Sequence, residues 1–317
     1  MTNSNIVFFG TPDFAVSILD GLLTHNYNVT AVFTQTDKPK GRGNKVQMPP
    51  VKEYALSHEI PVYQPKTLRD GDVINGIREM KPDMIVVAAY GKIFPEELLL
   101  IPEFYCINVH GSLLPRYRGA APVQRSIING ETKTGVTIMR MDAGCDTGDM
   151  IAKAEIEIPD DMNCGGLFDK MGQVGSELLL ETVPHIFDKT AVYEKQDESK
   201  ATYSPKIDKN ELLLDFTKPA KELHDLIRGV YPYLVCGCYQ SGAKGKRSLR
   251  IAKTQVCDIS GEPGKILSAD AKKNELIVAC GKGALNIIEL IPEGKQKMMC
   301  GDYIRGRQIS EGDVLFN

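Results

Sequence analysis

The chain has 317 residues, of which 42% are hydrophobic and 25% are charged, and its formal net charge is −3. This composition is ordinary for a globular protein and argues against a strongly basic nucleic-acid coat protein. At about 150 residues per domain, the length favours two domains.

The start MTNSNIVFFGTPDF lacks the basic region and long apolar core of a signal peptide. No apolar run reaches the ~18 residues that a membrane span needs, so we expect a cytoplasmic protein with no membrane partner.

The first two-thirds of the chain alternates between strand and helix patterns. Apolar runs predict strands at 6–9, 29–33, 84–89, 106–109, 135–141 and 150–158. Helical spacing predicts helices from residue 12, near 50–58, 70–81 and 95–100, from about 122, and over 166–189. Near-continuous apolar strands are typical of a sheet that is covered on both faces. We therefore expect an α/β fold with a doubly wound, largely parallel, Rossmann-like sheet.

The pattern changes after residue 190. A polar stretch within 191–206 is interpreted as a linker. Beyond it, one helix is predicted at 219–228, followed by short strands near 249–256, 264–270, 274–280 and 284–290 with Gly and Lys turns between them. Short strands of this kind predict a smaller C-terminal β-barrel of OB type. The expected domains are therefore 1–190 and 207–317.

The eight cysteines are scattered along the chain. Without a secretion signal, they are expected to be reduced thiols. Cys236 and Cys238 lie two residues apart, so on a strand both side chains would share one face. No second pair of Cys or His accompanies them. We interpret them as core residues and expect no metal site.

Polar residues stand at the end of the fourth predicted strand, where ligands bind in doubly wound sheets. Asn108 and His110 are two residues apart, so their side chains leave the same face of a strand. An amide donor beside an imidazole suits stabilisation of an oxyanion together with proton transfer. Asp142, Asp146 and Asp149, in the loop after the next strand, are candidates to orient the imidazole. From the residues alone, a polar strand end without chemistry is an equal alternative.

A basic segment occupies residues 38–45. Four of its eight residues are basic and two are glycine, which predicts an extended, mobile loop. Such a loop is either a solvated surface segment or an arm that contacts nucleic-acid phosphate. The C-terminal part has a second basic cluster. The candidate nucleic-acid contacts are Lys38, Lys40, Arg42, Lys45, Lys244, Lys246 and Arg247.

Four stretches stand out in chain order: GTPDFA (10–15), AYGKIFP (89–95), INVHGSLLPRYRGAAPVQ (107–124) and MDAGCDTGDM (141–150). Together they resemble the methionyl-tRNA formyltransferases of the formyl transferase family. Weaker likenesses follow in TYSPKI (202–207), LIRGVYP (226–232), IPEGKQKM (291–298) and YIRGR (303–307). The chain departs from the family at 233–239, where YLVCGCY replaces an expected Trp-Pro-Gly-Ala-like segment.

The resemblance implies a formyl transfer for translation initiation. The donor would be 10-formyltetrahydrofolate and the acceptor the α-amino group of methionine on initiator methionyl-tRNA. Asn108, His110 and Asp146 match the family's catalytic trio. The resemblance further implies that 207–317 is a tRNA-binding domain, that no metal takes part, and that Arg42 makes the main contact of the basic segment. We expect a monomer.

The resemblance also implies where the folate binds. The matching residues are Tyr90, Gly91, Ile93, Ser112, Leu113, Leu114, Pro115 and Asp142. Arg116 and Arg118 stay unassigned, since a folate tail or an acceptor phosphate could explain either of them.

Other acceptors are open to the same trio. An N-formyltransferase for a nucleotide-linked amino sugar and a formyltetrahydrofolate hydrolase would share it, but neither needs a basic arm at 38–45. A glycinamide ribonucleotide transformylase should lack the C-terminal domain. A non-catalytic tRNA-binding protein on this fold would be expected to lose the trio, which is complete here.

Overall fold

The computed structural model describes residues 4–40, 45–242 and 245–317. The chain forms two compact units. Unit 1 holds the residues up to 122 together with 133–157 and 168–205, and unit 2 holds 123–132, 158–167 and 206–317. Two short segments of the predicted first domain thus group with the C-terminal residues. The domain bounds 1–190 and 207–317 stay a prediction.

Ten of the strands in the described residues lie close to predicted positions, and eight others were not predicted. In chain order, the strands are β1 (Asn5–Gly10), β2 (Asn28–Phe33), β3 (Lys38–Lys40), β4 (Lys45–Gln47), β5 (Val62–Tyr63), β6 (Met84–Ala88), β7 (Cys106–His110), β8 (Arg118–Gly119), β9 (Lys133–Arg140), β10 (Met150–Glu157), β11 (Tyr203–Ser204), β12 (Cys236–Gly242), β13 (Gly245–Cys257), β14 (Ile266–Asp270), β15 (Glu275–Ala279), β16 (Ala284–Pro292), β17 (Met298–Met299) and β18 (Leu315–Phe316).

Seven of the α-helices in the described residues correspond to predicted helices, and the last, α8, was not predicted. In chain order, the α-helices are α1 (Asp13–Thr24), α2 (Pro50–Ser57), α3 (Gly71–Glu79), α4 (Glu96–Leu99), α5 (Pro122–Ile128), α6 (Cys164–Phe187), α7 (Ala220–Val230) and α8 (Cys300–Arg305). None of the helices in the part of the chain that the structure describes is long and apolar enough to cross a membrane.

Unit 1 is built on a seven-stranded sheet in the order β10-β9-β7-β6-β1-β2-β5. The five strands from β7 to β5 are parallel. The two strands at the other edge, β9 and β10, run antiparallel to their neighbours. The prediction of a largely parallel α/β sheet is therefore confirmed, with an antiparallel edge of the kind that many doubly wound folds carry.

The sheet of unit 1 packs closely against α6. At Gly175 of α6, an added Cβ would lie 3.1 Å from Val109 on β7 and 3.4 Å from Val136 on β9. Val109 and Val136 are 2% and 0% exposed. The absence of a side chain at Gly175 therefore lets the helix approach β7, which ends at the polar residues, and its neighbour β9.

Unit 2 contains a curled antiparallel sheet in the order β14-β15-β16-β13-β12-β18, with β17 beside β16. Its apolar residues pack with α7 and α8 around one core. Cys236 and Cys238 are 0% and 1% exposed in that core, so their interpretation as core residues is confirmed. The predicted small β-rich C-terminal fold is likewise confirmed.

A buried polar cluster ties residues 158–167 to α7 within unit 2. His224 lies with Nε2 3.2 Å from the Asp160 carbonyl oxygen and with Nδ1 2.9 Å from the Thr254 hydroxyl. Arg228 donates to two carbonyls of the same segment, at 3.1 and 3.0 Å. Because a carbonyl only accepts, Nε2 carries a proton. Burial lowers the pKa of the His224 ring below the ordinary 6.5, which favours the neutral ring, and in that ring Nδ1 accepts from the Thr254 hydroxyl.

Acid should destabilise the protein partly through His224. Its pKa is lower in the folded than in the unfolded state, so its contribution is complete above about pH 6.5 and is lost as the pH falls further, because the unfolded state then binds the proton. Denaturant unfolding at several pH values between about 5 and 7.5 should give a flatter pH dependence for His224→Gln than for wild type. The control is His25→Gln, at an exposed histidine. Equal pH dependence in all three proteins would contradict the assignment.

Candidate active site

Two polar side chains, those of Asn108 and His110, stand at the end of β7. Asn108 is half-buried and His110 is 5% exposed. Strand β7 lies between β6 and β9, which fixes its backbone on both sides. Because the two residues are two apart on a strand, both side chains leave the same face.

The hydrogen bonds of His110 distinguish its two nitrogens. Nε2 lies 3.0 Å from the carbonyl oxygen of Tyr117, which can only accept, so Nε2 carries a hydrogen. Nδ1 lies 3.7 Å from Oδ2 of Asp146, which is longer than a hydrogen bond. The neutral ring therefore presents an unprotonated Nδ1 on the side of Asp146. A proton taken up at Nδ1 would face the carboxylate.

Asp146 brings the three predicted catalytic residues together. Its Oδ1 lies 3.5 Å from Nδ2 of Asn108, and its Oδ2 accepts from the Gly119 amide at 2.8 Å. Of the three carboxylates that the sequence offers, Asp146 is the one that contacts His110 in the described part of the chain. Asp142 instead accepts from the amide of Gly144 and the hydroxyl of Thr147, within its own loop.

The loop 141–149 approaches the trio in an unexpected way. Since β9 is antiparallel to β7, this loop begins beside the start of β7, where the Met141 amide donates to the Cys106 carbonyl at 2.8 Å. It then folds back until Asp146 reaches Asn108 and His110. Asp146 therefore meets Asn108 and His110 as expected. It does so because the loop folds back, and not because the loop starts at the carboxyl ends of the parallel strands.

A cavity of about 190 Å³ lies beside Asp146. It is lined by Lys92, Ile93, Phe94, Met139, Met141, Asp142, Ala143, Gly144, Cys145 and Asp146. Its walls combine apolar side chains with a few polar groups, as small-molecule sites commonly do. A larger, open groove of about 390 Å³ between β10 and α6 shares no residue with the trio.

Three of the predicted folate residues follow β6, and they divide between this cavity and the core. Ile93, which is 77% exposed, lines the cavity together with Asp142 from the loop after β9. The Tyr90 ring is instead 1% exposed and packs against Phe9 and Phe94. Burial raises the pKa of Tyr90 to about 12. Gly91 follows Tyr90, whose backbone carbonyl oxygen accepts from the side-chain Nε2 of Gln35 at 2.8 Å.

The predicted folate residues after β7 form a tight turn. Ser112 donates from its hydroxyl to the Arg116 carbonyl at 2.6 Å, and its own carbonyl accepts from Thr137 at 2.7 Å. The Leu114 amide donates to the same Thr137 hydroxyl, and the Leu114 side chain is 1% exposed. Leu113 and Pro115 complete the turn. The Ser112 hydroxyl thus stabilises the turn itself, and the Leu114 side chain packs in the interior.

The described parts of the basic segment, which was predicted to be an extended, mobile loop, form a two-stranded ribbon of β3 and β4. Lys38 pairs with Gln47, and Lys40 with Lys45. Lys38 also donates to the side-chain oxygen of Gln35 at 2.8 Å. Arg42 lies outside the described residues.

The second basic cluster belongs to unit 2. Lys246 Nζ lies 3.5 Å from the ring centre of Tyr239 and 5.3 Å from that of Phe316. Arg247 donates to the side-chain oxygen of Gln308 at 2.9 Å. Lys244 lies outside the described residues. The cation of Lys246 is thus held by aromatic faces at the surface of unit 2.

Arg118 has a structural partner that the sequence did not indicate. Its side chain is 0% exposed and forms two hydrogen bonds with the Glu198 carboxylate, at 2.9 and 2.7 Å. The pairing lowers the pKa of Glu198. Arg118 is therefore engaged within unit 1, whereas the guanidinium of Arg116 lies 5.3 Å from the Tyr117 ring.

Among the described residues, no group of three or more His, Cys, Asp or Glu could hold a metal ion.

Comparison with known proteins gives a consistent family. The formyl transferase model matches residues 4–183, and the formyl transferase C-terminal domain model matches 206–308. The methionyl-tRNA formyltransferase of Acetivibrio thermocellus is 47% identical over 98% of this chain and 99% of its own length. That of Bacillus subtilis is 45% identical over 98% of each chain.

Solved structures share the fold at lower identity. HypX from Aquifex aeolicus in complex with tetrahydrofolic acid has a TM-score of 0.66 at 14% identity, covering 94% of this chain and 46% of HypX. The sugar 3N-formyl transferase WlaRD has a TM-score of 0.64 at 19% identity, covering 92% and 99%. With both domain models matched and full-length relatives at 45–47% identity, the chain belongs to the formyl transferase family, alongside its methionyl-tRNA formyltransferases.

Proposed function

We propose that this protein transfers a formyl group from 10-formyltetrahydrofolate to the α-amino group of methionine on initiator tRNA. The observation that carries the proposal is the cluster of Asn108, His110 and Asp146 at the end of β7, with a cavity that Asp146 helps to line. The full-length relatives named methionyl-tRNA formyltransferase support the choice of acceptor. Such an enzyme would act in the cytoplasm.

A folate donor is supported by the neighbours in fold. HypX was solved with tetrahydrofolic acid and WlaRD with 5-N-formyl-THF. We place the pterin in the cavity lined by Ile93 and Asp142, with the backbone of 90–94 and 141–146 around it. The turn Ser112–Pro115 would contact the donor through its backbone, since the side chains of Ser112 and Leu114 are buried in the fold.

The proposed reaction begins when the neutral amine attacks the formyl carbon. A carbon–nitrogen bond forms while the carbonyl pair moves to oxygen, and Nδ2 of Asn108 donates to that oxyanion. Nδ1 of His110 takes the surplus proton from the attacking nitrogen. Asp146 stabilises the imidazolium that results, because its carboxylate faces the new N–H.

The intermediate then collapses with loss of the folate nitrogen. The electron pair on the oxyanion re-forms the carbonyl as the bond between the formyl carbon and N10 breaks, the pair of that bond goes to N10, and the proton held on His110 passes to N10. The products are formylated aminoacyl-tRNA and tetrahydrofolate. The ring keeps its orientation throughout, since the bond from Nε2 to the Tyr117 carbonyl is unaffected by the transfer.

The acceptor is tested by competition. Purified protein with 10-formyltetrahydrofolate should formylate charged initiator tRNA when a nucleotide-linked amino sugar is present as a competing acceptor. The product is identified by mass spectrometry of both acceptors. Formylation of the sugar alone would overturn the proposed function.

Replacing Asp146 by Asn should lower the single-turnover rate of formylation by roughly 10²–10⁴, because the imidazolium loses its partner. The fold should be unaffected, since the substitution preserves shape. The matched control is Asp188→Asn, at an exposed carboxylate on the same unit. A near-normal rate in the Asp146 variant would remove its assigned role.

Replacing Arg42 by Ala should weaken binding of the tRNA and make it less sensitive to salt. Loss of one phosphate contact lowers the slope of log K against log salt by about 1. Binding is measured at several salt concentrations, with Arg69→Ala, at an exposed arginine of unit 1, as control. An unchanged slope would mean that Arg42 does not contact phosphate.

A further inference from the structure

Gln196 makes three polar contacts near the trio. Its Nε2 donates to the carbonyl oxygens of Asp146 and Gly148, both at 2.8 Å. Its Oε1 accepts from Nε of Arg118 at 2.9 Å. One end of the amide thus faces two acceptors and the other end a donor, so the side chain has one favourable orientation.

The backbone that Gln196 holds is strained. Asp146 has a φ of 56°, in the left-handed region that residues with a Cβ seldom adopt. At Gly148, an added Cβ would lie 1.9 Å from the Arg140 carbonyl oxygen, so the chain passes very close to the end of β9. Such a conformation persists only where surrounding contacts determine it. The two bonds from Gln196 span this turn.

Arg118 anchors Gln196 in turn. It is fully buried, and its two bonds to Glu198 fix the plane of the guanidinium. The residue that follows it, Gly119, donates its amide to Oδ2 of Asp146 at 2.8 Å. The Asp146 carboxylate is therefore bound by Gly119, and the Asp146 backbone is bound by Gln196. Both of these residues depend on Arg118, since Gly119 follows it in the chain and Gln196 accepts its hydrogen bond.

The segment that contains Gln196 is attached to unit 1. Its strand β11 pairs in parallel with β8, and the Arg118 amide donates to the Thr202 carbonyl at 2.8 Å. The Tyr117 amide donates to the Thr202 hydroxyl at 2.9 Å. The polar stretch after residue 190 is therefore docked beside the trio, where its side chains can influence the trio directly.

We propose that Gln196 is a positioning residue that sets the carboxylate of Asp146 against His110. The inference rests on the proposed function only in so far as Asp146 assists His110 in formyl transfer. Gln196 acts through the backbone of residues 146–148 and touches no reacting atom. Loss of its two donated bonds lets the turn relax, which moves the carboxylate away from Nδ1.

Two substitutions at position 196 test the proposal. Gln196→Glu keeps an acceptor for Arg118 but has no donor for the two carbonyls. Gln196→Met has a side chain of similar length and removes all three hydrogen bonds. Both should lower kcat by roughly 10- to 100-fold, as expected for a displacement near 1 Å. The KM values for folate and tRNA should change little. Lys195→Met, at the exposed neighbouring residue, is the control and should match wild type.

Combination with Asp146→Asn separates positioning from a general structural role. If Gln196 acts through Asp146, the double variant Gln196→Met, Asp146→Asn should be no slower than Asp146→Asn alone. Multiplicative losses in the double variant would overturn the proposal. So would a kcat for Gln196→Glu and Gln196→Met equal to that of wild type.

A structural measurement decides the matter independently of turnover. In a crystal structure of Gln196→Met, the separation of His110 Nδ1 and Asp146 Oδ2 should exceed the 3.7 Å of the parent. An unchanged separation would contradict the positioning role even if the wild-type protein formylated a different acceptor. Failure of wild type to formylate any tRNA would instead count against the proposed function alone.

Discussion

The placement of Asp146 against the end of β7 is the constraint on which the rest of the site depends. One carboxylate lies beside the amide of Asn108 and the ring of His110, and the backbone amide of Gly119 donates to it. Without it, the end of β7 would be only a polar strand end. The loop that carries Asp146 has to reverse direction to reach this point, since it leaves an antiparallel strand. The bonds that Gln196 donates to the carbonyls of Asp146 and Gly148 span that reversal.

The apolar sequence pattern predicted the framework well. The strands at 84–89 and 106–109, and the long helix at 166–189, lie within a few residues of β6, β7 and α6. Burial on both faces produces these runs, so they are visible in one sequence. The antiparallel direction of β9 was not predicted, because strand direction leaves no periodic signal. Two-residue strands such as β8 and β11 are too short to show one.

The candidate site was only partly predictable for a related reason. Asn108 and His110 stand out because polar residues interrupt a buried strand, and the family resemblance selected Asp146 among three neighbouring carboxylates. Gln196 and Glu198 lie in a polar stretch without periodicity, which predicted a linker. Their importance comes from contacts with Arg118, 78 and 80 residues earlier in the chain. Contacts over such distances depend on the folded chain.

The most direct test concerns the protonation of His110, on which the proposed transfer depends. Nitrogen NMR of protein labelled with ¹⁵N-histidine reports which ring nitrogen carries the hydrogen in the neutral state. We predict the tautomer with hydrogen on Nε2 and an unprotonated Nδ1, because Nε2 donates to the Tyr117 carbonyl. The His110 signals are assigned by their loss in His110→Asn. A neutral ring with hydrogen on Nδ1 would contradict the proposed proton transfer, since Nδ1 could not then accept the proton of the amine.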